Sequence, residues 1–402
     1  MAPGSRNGSA TAGVGALLEV IRASESTTRA ELVASTGLAR STVTQRIDAL
    51  LARDLIVPVG ENASTGGRPP QAFAFNAQAG VILAADLGAT HSRIAVTDLR
   101  ARVIADESHD IAIALGPDAI LGWLEDAFGA LLTTAGRSQA DVKGVGVGVP
   151  GPVEFATGTP VAPPIMPGWD GYPVGDRLSR CFDARTLVDN DVNIMALGEH
   201  WTACRDCDHM LFVKVGTGIG CGIITHGRIH RGALGAAGDI GHIHVPEHDD
   251  VLCRCGNQGC LEAVAGGGAL AATLSAEGVG AQNARDVVAL VREGSPRAVQ
   301  LVRQAGRELG AVLAASVNFF NPGVIVIGGD MAHANEPLLA GVRELVYQRA
   351  VPLGTRSLRI TRSTLDDRAG VVGAAVMLLE HVFSPAAVDA SLAGDGTGTP
   401  VA

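Results

Sequence analysis

The chain is poor in aromatic side chains: nine Phe, three Trp and two Tyr make up 3% of its 402 residues. Its cores must be packed mainly by Ala, Val, Leu and Gly. No run approaches the roughly 18 apolar residues that read as a membrane span. The opening stretch MAPGSRNGSATAGVG is small and polar, without the apolar core of a secretory signal. Both absences point to a cytoplasmic protein with no membrane partner. Cysteine is limited to seven, an odd number, and three crowd into residues 253–260, which is unlike a disulfide framework. A basic excess is lacking too, because the net charge is −10. That sum argues against a uniformly basic nucleic-acid binder but conceals an asymmetry. Residues 1–75 carry seven Arg against six acids, and the acidic excess lies in the remainder.

What is present suffices for two or three folded domains: 402 residues, 47% of them apolar. The 52 glycines gather in short turns after apolar runs, as α/β turns and phosphate loops require. Residues 1–13 read as disordered. Residues 14–76 read as three helices and a hairpin. VGALLEVIRA sets Val14, Leu17, Leu18 and Ile21 at helical spacing. TRAELVASTG opens with Thr28 and Glu31 at capping-box spacing and closes on Gly37. RSTVTQRIDALLARD puts Val43, Ile47, Leu50 and Leu51 on one face. Next come LIVPVG, the polar loop ENASTGGRPP and QAFAFN: strand, loop, strand. Arg40, Ser41, Thr42, Thr44, Gln45 and Arg46 lie mostly opposite the apolar stripe of the third helix, and Arg68 sits in the loop. Such groups suit base edges and phosphates. A solvated face on a small protein-interaction domain uses the same residue types. The Gly-Arg loop following three short helices favours a winged helix-turn-helix, mainly α, that binds operator DNA.

From residue 80 the pattern changes to α/β. GVILAADLGATHSRIAVTDL and HMLFVKVGTGIGCGII each read as strand, Gly turn, strand, and DVKGVGVGVPG and GVIVIGGD as buried strands. Helical segments are expected near 117–135, 191–202, 260–275, 296–317 and 334–350. The two hairpin units at 81–99 and 210–225 predict a duplicated, two-lobed domain over 80–385 with a cleft between the lobes. The small-residue stretch 386–402 is expected to be a disordered tail. DLGAT offers Asp86 at a strand end, then Gly88 and Thr90, where a carboxylate can hold a Mg²⁺ water and turn amides can face phosphate. GTGIG offers Gly216, Thr217, Gly218 and Gly220, and a third strand ends in Gly328 and Gly329. Asp191, in TLVDNDVN, is a candidate base for taking a proton from a hydroxyl during phosphoryl transfer. Its bland alternative is to cap the helix that follows.

GHIHVPEHDDVLCRCGNQGCLE places His242 ahead of Cys253, Cys255 and Cys260. Three thiolates and an imidazole make a closed tetrahedral zinc site, structural because no position stays open. His244 and His248 compete with His242 for the fourth place. The CRDC at 204–207 has no partner pair nearby and is read as incidental.

From about residue 14 to 385 the chain resembles the ROK family (repressors, open reading frames and kinases). The motifs that carry the resemblance are GRPP, DLGAT, GVGVPGPV, PPIMPGWDGYPV, DNDVN, GTGIGCGI, GALGAAGDIGH and CRCGNQGCLE. The resemblance implies an actin-like, hexokinase-type two-lobed ATPase fold. It implies that Asp191 is the catalytic base of the family's kinases and that Asn190 contacts sugar hydroxyls. Glu262 would accept hydroxyl hydrogen bonds, and His242 would bind zinc through one nitrogen and touch sugar through the other. Asp239 stands where the family's kinases usually carry Glu. Other departures are Ala89 for the second Gly of the first phosphate loop, His91 for a Lys, and Ile165-Met166 for a sugar-contacting Asn-Leu. With a helix-turn-helix in front, these departures predict a sugar-responsive transcriptional regulator, a homodimer or homotetramer, whose pocket is Asn190, Asp191, Asp239, His242 and Glu262. The rival expectation is an ATP-dependent, Mg²⁺-requiring sugar kinase with an appended DNA-binding domain.

Overall fold

The computed structural model describes residues 13–60 and 71–394. The N-terminal unit packs helix α1 (Val14–Arg22), strand β1 (Thr27–Thr28), helices α2 (Arg29–Thr36) and α3 (Arg40–Leu51), and strands β2 (Ile56–Val59) and β3 (Ala72–Phe75). The capping box forms as its spacing predicts. Thr28 accepts from the Glu31 amide, the Glu31 carboxylate accepts from the Thr28 amide, and α2 ends on left-handed Gly37. Leu17, Leu18, Ile21, Leu32, Val43, Ile47 and Leu50 are fully buried. β2 and β3 pair antiparallel, from Ile56 opposite Phe75 to Val59 opposite Ala72. Arg68 and the rest of the loop between them lie outside the described residues, as do residues 1–12.

Two five-stranded sheets follow. The first holds β4 (Val81–Leu87), β5 (Ser92–Asp98), β6 (Val103–His109), β7 (Val142–Val149) and β10 (Thr186–Asn190), with helix α4 (Pro117–Thr134) before β7. A small ribbon of β8 (Val153–Glu154) and β9 (Thr159–Pro160), then helix α5 (Val174–Phe182), separates β7 from β10. Helix α6 (Asp191–Ala203) leads to the second sheet: β11 (His209–Val215), β12 (Ile219–Thr225), β13 (Arg228–Ile229), β14 (Val324–Gly328) and β15 (Arg359–Arg362). Between β13 and β14 lie α7 (Leu261–Ala265), α8 (Gly267–Ala276), α9 (Ala284–Arg292) and α10 (Pro296–Phe320). Between β14 and β15 lie α11 (Glu336–Arg349) and α12 (Pro352–Thr355), and the chain closes with α13 (Ala369–Val382) and α14 (Pro385–Gly394). Each sheet orders its strands third, second, first, fourth, fifth. The first three are antiparallel and the last two join in parallel, reached through helical crossovers. The duplication expected from two hairpin units is thus a duplication of whole sheets.

Two helices cross between the lobes. α6 leaves the first sheet and packs on β11 and β12, whereas α13 leaves the second and packs on β4 and β7. Their approach is backbone to backbone: a Cβ on Gly198 or Gly373 would overlap the Ala369 or Ile194 carbonyl oxygen. On β7, glycines at alternate positions serve the same fit, since a Cβ on Gly146 would overlap the Ala374 carbonyl. Eleven consecutive residues of α13, Ala369 to Leu379, are buried. A helix apolar all round has no stripe, so periodicity could not reveal it.

The expectation of a disordered tail over 386–402 is corrected for its first part. Residues up to 394 form α14, which packs on α1; Val388 is buried, and Asp389 Oδ1 accepts from the Gly15 amide at 2.8 Å. Its small residues fit the close approach, with the Pro385 backbone where a Cβ on Gly15 would stand. Residues 395–402 lie outside the described residues.

Candidate functional site

The strand ends of the two sheets face one another across the cleft. TLVDN forms β10, and the Asn190 side chain caps α6, accepting from the amides of Val192 at 2.9 Å and Asn193 at 3.3 Å. Its amide nitrogen donates to the Gly151 carbonyl at 3.0 Å. Asn190 is therefore a helix cap as well as a candidate sugar contact. The cap role weighed for Asp191 falls to its neighbour. Asp191 is the first residue of α6, 4% exposed, with Oδ1 accepting from the Val192 amide at 2.9 Å. Its Oδ2 accepts from Lys214 Nζ at 2.5 Å. Lys214, on β11 of the second lobe, thus reaches the first-lobe carboxylate. A second such pair joins Asp189, 2% exposed, to Arg231, whose guanidinium also lies over the Phe155 ring.

Asp86 ends β4 within this group. Its Oδ1 is buried without a hydrogen-bond partner, and a Cβ on Gly370 of α13 would overlap its Oδ2. Burial pushes the Asp86 carboxyl up to about 7, against the opposing pull of Lys214. Burial also works against the Lys214 charge, but Asp191, Asp86 and, more weakly, Asp330 outweigh it and hold the ammonium above its ordinary pKa. The turn after Asp86 brings the Gly88 amide to the His91 carbonyl at 2.9 Å, where a Cβ on Gly88 would press. Thr90 is exposed on that turn.

Gly216, Thr217 and Gly218 form the three-residue turn between β11 and β12. Gly267 and Gly268, opening α8, donate to the Gly216 and Thr217 carbonyls at 2.8 and 3.1 Å. Two residues assigned to phosphate loops lie within strands rather than in turns. Gly220 lies within β12 opposite Lys214, where Val192 leaves no room for a side chain. Gly328 lies within β14 against the Phe212 ring, while Gly329, at φ 80°, makes the turn that follows.

The turn abuts the cysteine loop. Glu262, on α7, places Oε2 2.5 Å from where a Cβ on Gly218 would stand. One ring nitrogen of His242 and the Sγ atoms of Cys253, Cys255 and Cys260 all lie within 4.8 Å of one another. Cys255 and Cys260 are 3.7 Å apart, as are Cys253 and His242 Nδ1. A tetrahedron with metal–sulfur bonds of about 2.3 Å has S···S edges of about 3.8 Å. The four donors therefore fit a metal ion. Geometry also decides among the histidines. His244 pairs with Asp249 at 2.7 Å and His248 lies 3.7 Å from Glu308. The other ring nitrogen of His242 stands 3.9 Å from the exposed Asp239. Asp239 and Glu262 thus both lie beside the cysteine loop, Asp239 near His242 and Glu262 near Cys253 and the Gly218 turn.

The model of the ROK family matches residues 82–381. The chain belongs to the ROK family. The xylose repressor of Caldicellulosiruptor bescii is 29% identical over 382 residues, 92% of this chain and 95% of that one. A solved ROK family transcriptional regulator, a homolog of the E. coli MLC protein, superposes with a TM-score of 0.81 at 26% identity, covering 94% of this chain and 98% of that one. The ROK family glucokinase from Streptomyces griseus, solved with glucose and AMPPNP, gives 0.64 at 28% identity over 74% of this chain and 99% of its own. The actin-like, hexokinase-type fold of the two lobes is thereby established.

Lys214 and Arg231 were missed in reading this ROK sequence. A signal for Lys214 was there: it is one of two lysines in the whole chain, set in the apolar strand HMLFVKV just before GTGIG. Arg231 carried no comparable mark. On α3, Arg40, Ser41, Thr44 and Gln45 are exposed, and Thr42 is half-buried. Arg46 turns back to donate to the Gly13 carbonyl at 3.1 Å, so it is not a free side chain of that face.

Proposed function

We propose that this ROK protein is a sugar-responsive transcriptional repressor: a winged helix-turn-helix reads operator DNA, and the cleft between the lobes holds the sugar. One observation carries the reading. Likeness to the ROK transcriptional regulator spans 94% of the chain, N-terminal unit included, whereas likeness to the glucokinase spans 74%. α3 would lie in the major groove with Arg40, Ser41, Thr44 and Gln45 toward bases and phosphates, and with Arg68 in the wing. Two half-sites read by two-fold symmetry call for a homodimer or homotetramer.

In the cleft, Asp191, Asp239 and Glu262 accept from sugar hydroxyls, and Lys214 and His242 Nε2 supply donors. A site of charged groups discriminates strongly, because a sugar lacking one hydroxyl leaves a partner unpaired. His242, Cys253, Cys255 and Cys260 would hold zinc, which fixes the loop that orients Glu262 and, with four protein ligands, has no open position for chemistry. Magnesium and nucleotide do not fit the residues as arranged. The Asp191 oxygens already accept from Lys214 and the Val192 amide, and the Lys214 stem lies over Gly216 and Gly329.

Sugar signals through α13. Its first turn touches Asp86, and the ring of Phe383 at its end meets Phe75 of the N-terminal unit edge-on at 5.3 Å, with the Arg22 guanidinium over it. A sugar that binds one lobe arrangement better shifts that helix and the DNA reader with it. Fluorescence anisotropy on DNA from the gene's own upstream region tests the proposal, with xylose first in a panel of pentoses, hexoses and N-acetyl sugars. Binding released by one sugar without ATP supports it. Binding indifferent to sugars until ATP is added overturns it in favour of a kinase.

A further inference from the structure

In a phosphoryl-transfer site, a divalent cation neutralises the carboxylates and the phosphates at the strand ends, and a free carboxylate takes the proton of the attacking hydroxyl. Here Asp191, at the start of α6, pairs with a side chain instead, and Asp86 and Asp330 add to the pull on its charge. Lys214 ends the central strand of the second sheet, opposite Gly220 on β12 and Gly328 on β14. Neither neighbour has a side chain to deflect it. Its Cε lies 3.7 Å from where a Cβ on Gly216 would stand, and its Cγ 3.1 Å from the same point on Gly329. The two turns that would face phosphates are thus lined by the lysine stem. From there the ammonium crosses to Asp191 Oδ2.

We propose that the ε-ammonium of Lys214 is a built-in replacement for the divalent cation, closing the nucleotide half of the cleft and leaving the sugar half as a receptor. This rests on the sugar-sensor reading and adds the device that removes phosphoryl transfer. Four observations support it. Asp191 has a donor on each oxygen, so its carboxylate is already engaged before a sugar arrives. Asp86 Oδ1 is buried and unpartnered, as a carboxylate left behind by its cation would be. The ion pair with Asp191 holds the ammonium charged, with Asp86 adding to the pull. The bridge also spans the lobes, so a sugar hydroxyl that donates to Asp191 and accepts from Lys214 would enter the contact that sets lobe spacing.

The test uses the full-length, zinc-loaded protein and Mn²⁺ as probe, followed by the electron paramagnetic resonance of the free ion. Wild type should take up no Mn²⁺ that Mg²⁺ displaces. Lys214→Met should bind one equivalent at least tenfold more tightly, displaced by Mg²⁺ and lost again in Lys214→Met/Asp86→Asn. Equal uptake by wild type and Lys214→Met, or uptake insensitive to Asp86→Asn, overturns the proposal. Should Lys214→Met not fold, ¹⁵N-lysine spectra of the wild type decide, since the chain has only Lys143 and Lys214. The Lys214 ammonium signal, assigned with Lys143→Arg, should move with sugar but not with Mg²⁺. A signal that Mg²⁺ shifts overturns the idea. Neither readout uses DNA, so failure here and failure of operator binding are told apart.

Discussion

One substitution-sensitive carboxyl makes the cleft pH-dependent. Burial lifts the Asp86 carboxyl from the ordinary 3.8 to about 7 in the folded protein. The folded state then binds the proton more tightly than the unfolded chain does. Its contribution to stability is complete below about pH 4 and is lost as pH rises through about 7. Asp86→Asn cannot ionise and removes that slope. Urea unfolding from pH 5 to pH 8 should show the variant gaining on wild type with rising pH, by an order of a few kcal/mol in all. Parallel pH profiles would mean that Asp86 titrates normally. Close by, Asn190 caps α6 through its amide oxygen, and the Asp191 carboxylate pairs with Lys214.

Two elements hold the cleft in register. The first is the glycine-mediated crossing of α6 and α13, which Glu199 reinforces by accepting from Ser363 Oγ at 2.7 Å and from the Thr364 amide at 2.8 Å. Gly373→Ala places a methyl on the Ile194 carbonyl, a backbone atom that cannot rotate away. The expected loss is about 1–3 kcal/mol by thermal or urea denaturation, with the lobe spacing altered. The second is the loop from His242 to Cys260. With a metal held there as proposed, a chelator should loosen α7 and Glu262, read as faster amide exchange there and as sugar affinity lowered at least tenfold. Full sugar affinity in the stripped protein would separate the two sites. Metal retention should also fall on acidification, because thiolates and imidazole must give up protons to bind.

In the proposed scheme one apolar helix and its neighbour join the DNA reader to the sugar receptor. Phe383→Ala removes the ring between Phe75 and Arg22 while leaving the cleft intact. Sugar affinity should stay within twofold, and the sugar-induced change in operator affinity should shrink several-fold. An unchanged response would place the coupling elsewhere. Arg40→Ala, at the exposed start of α3, should weaken operator binding by about 1–3 kcal/mol and flatten its salt dependence without touching sugar affinity.

Local chemistry made much of this visible in the letters alone. Capping by Thr28 and Glu31, the β2–β3 pairing, the paired hairpins and the crowding of His242 with three cysteines depend on residues near in the chain or on strict periodicity. Contacts between remote residues were not visible. Lys214 and Asp191 are 23 positions apart, and nothing in either neighbourhood names the other. α13 has no polar face to announce a helix, and α14 is small and weakly patterned until α1 packs on it. Gly220 and Gly328 looked like phosphate turns because Gly-rich strand ends share one composition. Packing against Val192 and Phe212, which requires the folded sheets, places them in strands instead. Motifs report what neighbours in sequence can do, and an ion pair across a cleft exists only once two lobes have closed upon it.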